Sequence, residues 1–198
     1  FDDEAWVTQI ARPYMYELCR DIVWPVAIAT LSGSSMLIRQ TTDHESPLAV
    51  EKRGPGFRVP LLASASGLAY LAFCPKEQRD TLLDMLAQSK NEADRPARNR
   101  TKIYETLVDA RRQGYAVYRR KRRVSDELSL SVPILVDERL LATIAIRFSS
   151  TAVELADAEA RFLPKLLATS QRISRDFSSQ QQQDALVSVA TGPAPGTD

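Results

Sequence analysis

The sequence contains few of the residues from which catalytic and metal sites are built. Its 198 residues include one histidine, His44, and two cysteines, Cys19 and Cys74. No second histidine is available to a transition-metal site, so we predict neither a metal nor a cofactor and place His44 in a surface loop. The cysteines lie in apolar contexts without C-x-x-C spacing, which is typical of small core residues in a reducing cytosol.

Motifs of common enzyme classes are missing as well. The chain has no G-x-S-x-G elbow, no phosphate-binding loop and no G-x-G-x-x-G fingerprint, and neither cysteine has an evident histidine partner. We therefore expect the protein not to be an enzyme.

The chain also lacks a long apolar run and a strong net charge. No run of 18 apolar residues occurs, and the acidic start Phe1-Asp2-Asp3-Glu4 does not fit a signal peptide. The formal charge of +1 is too small to make nucleic acid or a membrane an obligatory partner. We expect a cytoplasmic protein, and the missing initiator Met indicates a fragment or processed product whose upstream domain was removed.

What is present fits one folded domain with ragged ends. Hydrophobic residues make up 44% of the chain and charged residues 26%, as in ordinary globular proteins. Residues 1–23 predict a helix, capped by Asp2 or Asp3, that either crosses a sheet or joins its twin in a dimer. Residues 24–178 form the main domain, and the polar residues 179–198 predict a disordered tail.

Within the main domain, hydrophobic residues recur in turn at the strand period and at the helix period. Strands are predicted at 24–31, 35–42, 48–51, 115–118, 128–136 and 140–148, with turns at 32–34 and 137–139. Helices are predicted at 61–73, 76–88, 101–113 and 154–178, and Gly114 is a natural left-handed cap for the third of them.

Residues 61–73 are the stretch around which we expect the chain to be organised. Ser64 or Ser66 can cap this helix, while the small Ala63, Ala65 and Gly67 leave the N–H groups of its first turn uncovered. Such a helix start suits a small anion. The alternative is a buried, tightly packed helix start, since no phosphate-loop lysine follows.

The last predicted hairpin has one face of small and polar residues. That face carries Ser129, Ser131 and Pro133 on one strand and Thr143, Ala145 and Arg147 on the other. A small polar cavity over Ser129 and Ala145 is therefore predicted. Arg147 requires a carboxylate or similar partner if it is buried there; alternatively, it lies at a strand end and reaches solvent.

The basic run Arg119-Arg120-Lys121-Arg122-Arg123 is the strongest charge feature of the chain. It can hold phosphates or steer an anionic ligand to a cavity. The alternative is a solvated loop between two strands, because no aromatic residues interleave with the charges for base stacking.

Four segments carry a family resemblance: residues 57–69 (FRVPLLASASGLA), 114–117 (GYAV), 129–134 (SLSVPI) and 140–146 (LLATIAI). In order and spacing they resemble the effector-binding domain of IclR-type bacterial transcription regulators. The resemblance covers roughly residues 5–177. Residues 23–25 (VWP), 66–68 (SGL) and 71–75 (LAFCP) look closest to the activators of 3-hydroxyphenylpropionate degradation.

The resemblance implies an α+β, GAF-like domain in which a curved antiparallel sheet carries helices on its faces. Such domains bind a small organic acid and form homodimers or tetramers, and an upstream winged helix-turn-helix, absent here, contacts operator DNA. In the implied site, backbone N–H groups of Ala65 and Ser66 hold the carboxylate of the acid. The side chains implied around it are those of Tyr118, Ser129, Ala145 and Arg147.

This chain departs from the family pattern, which often has an acidic residue near Tyr118 and small hydroxyl residues near Ala145 and Arg147. The pocket has thus lost an acid and gained a cation, so we predict an aromatic or arylalkanoic carboxylate held near Ser66 and Arg147. The expected function is a ligand sensor of aromatic acid catabolism that controls operator binding through the oligomer. The alternatives are a small enzyme or binding module for aromatic acids, and an oligomerisation scaffold with a vestigial pocket.

Overall fold

A curled, six-stranded antiparallel sheet forms the centre of the fold. The computed structural model describes residues 3–190. The strands are β1 (Val26–Ser32), β2 (Ser35–Thr41), β3 (Arg58–Pro60), β4 (Ala116–Arg120), β5 (Glu127–Val136) and β6 (Arg139–Ser149). They lie in the order β3-β2-β1-β6-β5-β4, so the short strands β3 and β4 form the two edges. This is the α+β architecture that the sequence predicts.

The helices fall into two groups according to their place in the chain. The first group comes from the two chain ends: α1 (Asp3–Trp6), a π-helical segment (Val7–Ala11), α2 (Arg12–Ile22), α6 (Leu155–Arg161) and α7 (Leu163–Ala190). The second group lies between β3 and β4: α3 (Ala65–Phe73), α4 (Lys76–Gln88), a 3-10 helix (Glu92–Arg98) and α5 (Arg100–Gln113). The sheet separates the two groups, which cover its opposite faces.

Each face of the sheet buries its own hydrophobic cluster. On the terminal-helix face, which packs against α2 and α7, the strands present fully buried aliphatic side chains: Leu130, Val132, Ile144 and Ile146. On the inner-helix face, which packs against α3 and α5, Ala27, Ala29 and Met36 are buried, and α4 adds its leucines to the same cluster. Side chains alternate along a strand, so β1 contributes Val26 and Ile28 to the first cluster and Ala27 and Ala29 to the second.

The N-terminal helical region ends at Ile22, close to the predicted limit, but it is not a uniform α-helix. The Arg12 N–H bonds to the Val7 carbonyl, five residues back, which widens the turn before Pro13. A proline ring in a regular helix collides with the carbonyl four residues before it. The π-helical turn relieves that collision. Of the two predicted caps, Asp2 lies outside the described residues and Asp3 is the first residue of α1.

The predicted strand at 48–51 is wrong, because these residues form turns within the β2–β3 loop (residues 42–57). Side chains at the start of this loop attach it to the start of β1 and to the C-cap residue of α2. The Thr42 hydroxyl accepts from the Val26 N–H at 2.9 Å, and the Ser46 hydroxyl donates to the Val23 carbonyl at 2.6 Å. The chain is thereby led away from the sheet, and β3 pairs with β2 instead.

The predicted disorder of residues 179–198 differs from the structure, in which α7 continues as a helix to Ala190. The segment from Gln180 is rich in glutamine and alanine, which tolerate a helical backbone well. Extending an existing helix also avoids the cost of nucleating a new one. Residues 191–198 lie outside the described part of the chain.

Cys19 and Cys74 are free, buried thiols, one in each hydrophobic cluster, as predicted. Within residues 3–190, no helix combines the length and the apolar character needed to cross a bilayer. The same residues contain no group of three or more His, Cys, Asp or Glu side chains placed to hold a metal ion.

Candidate functional site

A cavity of about 160 Å³ lies on the inner-helix face, between the start of α3, the strands β4 to β6 and the β2–β3 loop. All six residues named from the sequence line it: Ala65, Ser66, Tyr118, Ser129, Ala145 and Arg147. The structure thus brings together residues from four separate elements. None of the six lies elsewhere in the fold.

Strand register explains how the sheet presents its share of these residues. Tyr118 on β4 is opposite Ser129 on β5, and Ser129 is opposite Arg147 on β6, so the three form one row across the sheet. Ala145 lies two residues before Arg147 and is paired with Ala27 on β1. Methyl groups at these two positions leave the space that larger side chains would fill.

The first turn of α3 forms another wall. Ser64 rather than Ser66 is the cap: its hydroxyl accepts from the Gly67 N–H at 3.0 Å and donates to the Pro60 carbonyl at 2.6 Å. The N–H groups of Ala65 and Ser66 have no hydrogen-bond partner among residues 3–190. They lie at the positive end of the helix dipole, beside the cavity.

Gly67 fixes where this helix can start. A Cβ atom at position 67 would lie 2.2 Å from the carbonyl oxygen and 2.4 Å from the Cα of Leu61. Both atoms belong to the backbone, so no side-chain rotation can relieve the contact. The close approach therefore holds the chain at Leu61 and the first turn of α3 in one relative position.

Arg147 is paired within the chain. Its Nη2 contacts Oδ1 of Asp43, a residue of the β2–β3 loop that is 104 positions away in the sequence. The Asp43 side chain is 2% exposed and that of Arg147 is 20% exposed. Asp43 also accepts from the Thr41 hydroxyl and, through Oδ2, from the Arg53 N–H at 3.1 Å.

Asp43 is the site residue that sequence reasoning missed. It follows a strand in a polar turn next to His44, where aspartate is usually solvated, and its partner is distant in the sequence. One signal in the sequence pointed to such a residue: Arg147, if buried, needs a carboxylate or similar partner. The expected surplus of positive charge at Arg147 is therefore wrong, since Asp43 on the same cavity wall balances it.

Ion pairs neutralise most of the basic run at 119–123. Arg119 and Lys121 lie 3.2 and 3.0 Å from Asp126. The Lys121 hydrogen bond, followed by the Arg122 N–H and the Arg119 side chain, lowers the pKa of the Asp126 carboxyl below its ordinary value. Two further close pairs join Arg122 to Glu51 at 2.6 Å and Arg120 to Glu127 at 3.2 Å. Arg119 and Arg120 end β4, and residues 121–123 lie in the loop before β5, where Lys121 and Arg123 are exposed. The run is therefore a partly solvated segment whose charges are largely engaged in ion pairs.

The cavity also presents hydroxyl groups that no described residue uses. Within residues 3–190, the hydroxyls of Ser66, Tyr118 and Ser129 have no hydrogen-bond partner. Apolar side chains complete the wall, among them Ile38, Phe57 and Val59. A mixture of apolar walls and a few polar groups pointing inward is typical of small-molecule sites.

Sequence comparison places the chain among bacterial regulators. Residues 3–175 match the family model described as "Bacterial transcriptional regulator IclR C-terminal". The chain is 25% identical over 151 residues to the probable transcriptional regulator SauR of Cupriavidus necator. That alignment covers 76% of this chain and 58% of SauR, so the chain spans somewhat more than half of that relative.

Solved structures share the fold. IclR of Thermotoga maritima superposes with a TM-score of 0.71 at 20% identity, covering 86% of this chain and 68% of that one. An IclR homolog of Microbacterium hydrocarbonoxydans, complexed with 4-hydroxybenzoate, gives a TM-score of 0.69 at 19% identity and covers 89% and 70%.

A third structure has similar coverage. The inducer-binding domain of a double mutant of PobR from Acinetobacter, complexed with 3-hydroxybenzoic acid, gives a TM-score of 0.67 at 17% identity, covering 85% of this chain and 97% of that domain. At these identities the likeness concerns the fold. The family model, which matches most of the chain, carries the assignment: this protein belongs to the IclR C-terminal family of bacterial transcriptional regulators.

Proposed function

We propose that the cavity is the effector site of a transcription regulator and that it binds a small aromatic carboxylic acid. The observation that carries the proposal is the convergence of the six residues on one cavity that has a bare helix start, unused hydroxyls and apolar walls. A cavity of roughly 150 Å³ accommodates benzene. The volume here therefore suits a single ring with short substituents.

The start of α3 is the proposed carboxylate site. Two free N–H groups, those of Ala65 and Ser66, lie at the positive end of the helix dipole, where an anion is stabilised. The ring would then lie over the Ala27 and Ala145 floor, with Tyr118 and Ser129 at its side. Two proteins that share the fold form complexes with hydroxybenzoic acids, which supports an aromatic acid as the ligand.

The proposed regulatory mechanism is a shift between pre-existing states. The acid would bind one arrangement of a homodimer or tetramer more tightly and so change the spacing of DNA-binding domains on operator DNA. A coupling of about 1 to 3 kcal/mol between the two sites is typical and changes operator affinity by about 5- to 150-fold. We also propose that the protein is related to the activators of 3-hydroxyphenylpropionate degradation.

A calorimetric and thermal-shift screen tests the proposed function. The probes are benzoate, 3-phenylpropanoate and their hydroxylated forms, added to the purified chain. An acid present at about 100 times its dissociation constant should stabilise the folded state by about 2.7 kcal/mol. Absence of binding by every acid would contradict the proposal.

Ala65→Pro tests the carboxylate site directly. Proline is compatible with the first helical position and with an extended preceding residue, and Ser64 has φ −155° and ψ 150°. The variant removes one N–H donor, so affinity for the acid should fall about 10-fold or more. Ala65→Val has similar bulk and keeps the donor, so it separates the lost hydrogen bond from a change in cavity volume.

A further inference from the structure

We infer that the Asp43–Arg147 pair is a second recognition element of the cavity and that it selects a ligand hydroxyl group, so that the effector is a hydroxylated aromatic acid. The inference rests on the proposed function. It assigns the carboxylate of the ligand to the start of α3 alone. The hydroxyl group of the ligand then binds the Asp43–Arg147 pair. Neither Asp43 nor a hydroxyl-binding role for Arg147 follows from the strand pattern.

Charge balance is the first argument. The guanidinium of Arg147 is matched by the buried carboxylate of Asp43, and both side chains line the cavity. A ligand carboxylate brought to Arg147 would lie against the Asp43 carboxylate, and a ligand ammonium brought to Asp43 would lie against Arg147. This end of the cavity therefore favours a neutral group.

Hydrogen-bonding capacity is the second argument. A carboxylate offers about four acceptor sites, and three on Asp43 are occupied by Arg147 Nη2, the Thr41 hydroxyl and the Arg53 N–H. One acceptor site of Asp43 remains, and among the residues that the structure describes only one of the five N–H groups of the Arg147 guanidinium has a partner. A hydroxyl is the neutral group that donates a hydrogen bond to the Asp43 carboxylate and accepts one from the Arg147 guanidinium.

Rigidity is the third argument. Asp43 is held by Thr41 at the end of β2 and by Arg53 on its own loop. Arg147 is fixed by its backbone bond to Pro25 at 3.1 Å and by its register on β6. The pair is therefore arranged before a ligand arrives. A preformed buried site for a hydroxyl discriminates strongly against an analogue that lacks it, because its own polar groups are then left unpaired.

Matched ligands test the inference on the unaltered protein. The probes are benzoate and 3-phenylpropanoate, their 3-hydroxy and 4-hydroxy forms, and the fluorine analogues at the same ring positions. Fluorine keeps the substituent small but cannot donate a hydrogen bond. One hydroxy isomer should bind about 10-fold or more tightly than both its fluoro and its unsubstituted counterpart. Equal binding of all three would overturn this inference and leave the proposed function standing, whereas no binding by any acid would overturn both.

Asp43→Asn adds a specificity switch to the test. Removing the carboxylate charge leaves Arg147 unbalanced, so benzene-1,3-dicarboxylate should gain about 10-fold or more relative to 3-hydroxybenzoate. Asp126→Asn, a loss of one carboxylate charge outside this cavity, should leave that ratio unchanged. An unchanged ratio in a folded Asp43→Asn variant would overturn the inference. If the variant does not fold, the fluorine series on the unaltered protein decides.

Discussion

The two faces of the sheet are built by the same strands yet have opposite properties. On the terminal-helix face, β5 and β6 present Leu130, Val132, Ile144 and Ile146, all fully buried. On the inner-helix face the alternating positions are Ser129, Ser131, Ala145 and Arg147, and there the cavity opens. The difference shows that the cavity arises from small and polar side chains on β5 and β6, whose pairing at residues 129–131 and 145–147 has no register shift.

The largest effect is expected where the inner-helix face depends on a backbone contact. Gly67→Ala should destabilise the fold by more than about 4 kcal/mol or prevent folding, because the added methyl group meets the Leu61 backbone. Denaturant unfolding measures this. Gly54→Ala is the matched control, since a Cβ there meets nothing within 4 Å. Equal stability of the two variants would show that the start of α3 can shift.

The next effect separates the two faces at neighbouring residues. Leu130→Ala should cost about 2 to 5 kcal/mol of unfolding free energy, because it leaves a cavity in the terminal-helix cluster. Ser129→Ala should change stability by no more than about 0.5 kcal/mol, since its hydroxyl has no partner within residues 3–190. The same substitution should nevertheless weaken acid binding in calorimetry. Comparable losses of stability would contradict the division of roles.

The two cysteines report on the two faces separately. Both thiols are buried; burial raises the pKa of Cys19 and raises that of Cys74 to about 11, so neither should react with a thiol reagent until the protein opens. An acid at about 100 times its dissociation constant should slow labelling of Cys74 by up to about 100-fold and that of Cys19 by less. Equal protection of both would mean that the two faces open only together.

Filling the cavity should make the two faces more alike. Ala145→Leu gives the inner-helix face a large aliphatic side chain, like those of Ile144 and Ile146 on the terminal-helix face. We expect a change in unfolding free energy below about 1 kcal/mol, because the added atoms enter empty volume. Acid binding should be abolished in the same sample. If the variant keeps its affinity for the acid, the ligand does not bind next to Ala145.

The smallest effect concerns acid titration. Lys121, the Arg122 N–H and Arg119 lower the pKa of Asp126, whereas Arg172 lowers that of Glu17, which ties α2 to α7. A carboxyl group whose pKa is lower in the folded than in the unfolded state stabilises the fold at pH values above its unfolded pKa. That stabilisation disappears as the pH falls through the folded pKa. Asp126→Asn should therefore flatten the decline in stability between about pH 5 and pH 2 and speed hydrogen exchange of residues 121–126. Glu17→Gln should flatten the decline without affecting that loop.

Local signals in the sequence predicted most elements. Pro75 and the leucine spacing defined α4 at Lys76–Gln88, and Gly114, with φ 93°, ends α5 as predicted. The alternation of side chains along a strand was enough to predict on which face of the sheet each residue of the last hairpin lies. The row of Tyr118, Ser129 and Arg147 depends on that period and on the pairing of three strands.

The misses share a physical cause, which is that distant contacts override local preference. Leu48 and Val50 alternate as in a strand, but the hydrogen bonds that Thr42 and Ser46 make with Val26 and Val23 lead this segment away from the sheet. The Asp43–Arg147 pair joins positions that no local pattern connects. The helix beyond residue 179 continues from a packed helix, which composition alone does not reveal. The convergence of the six site residues is observed, and their role in binding remains the proposal.

The two edge strands bear on how copies of this protein meet. β3 has three residues and ends at Pro60, which has no N–H to offer a new strand. β4 has five residues and carries Arg119 and Arg120 at its outer end, both engaged with acidic side chains. Short edges that carry proline or charge discourage strand addition. A crowded solution of these molecules should therefore resist aggregation through its sheet edges, and any ordered assembly has to use other surfaces.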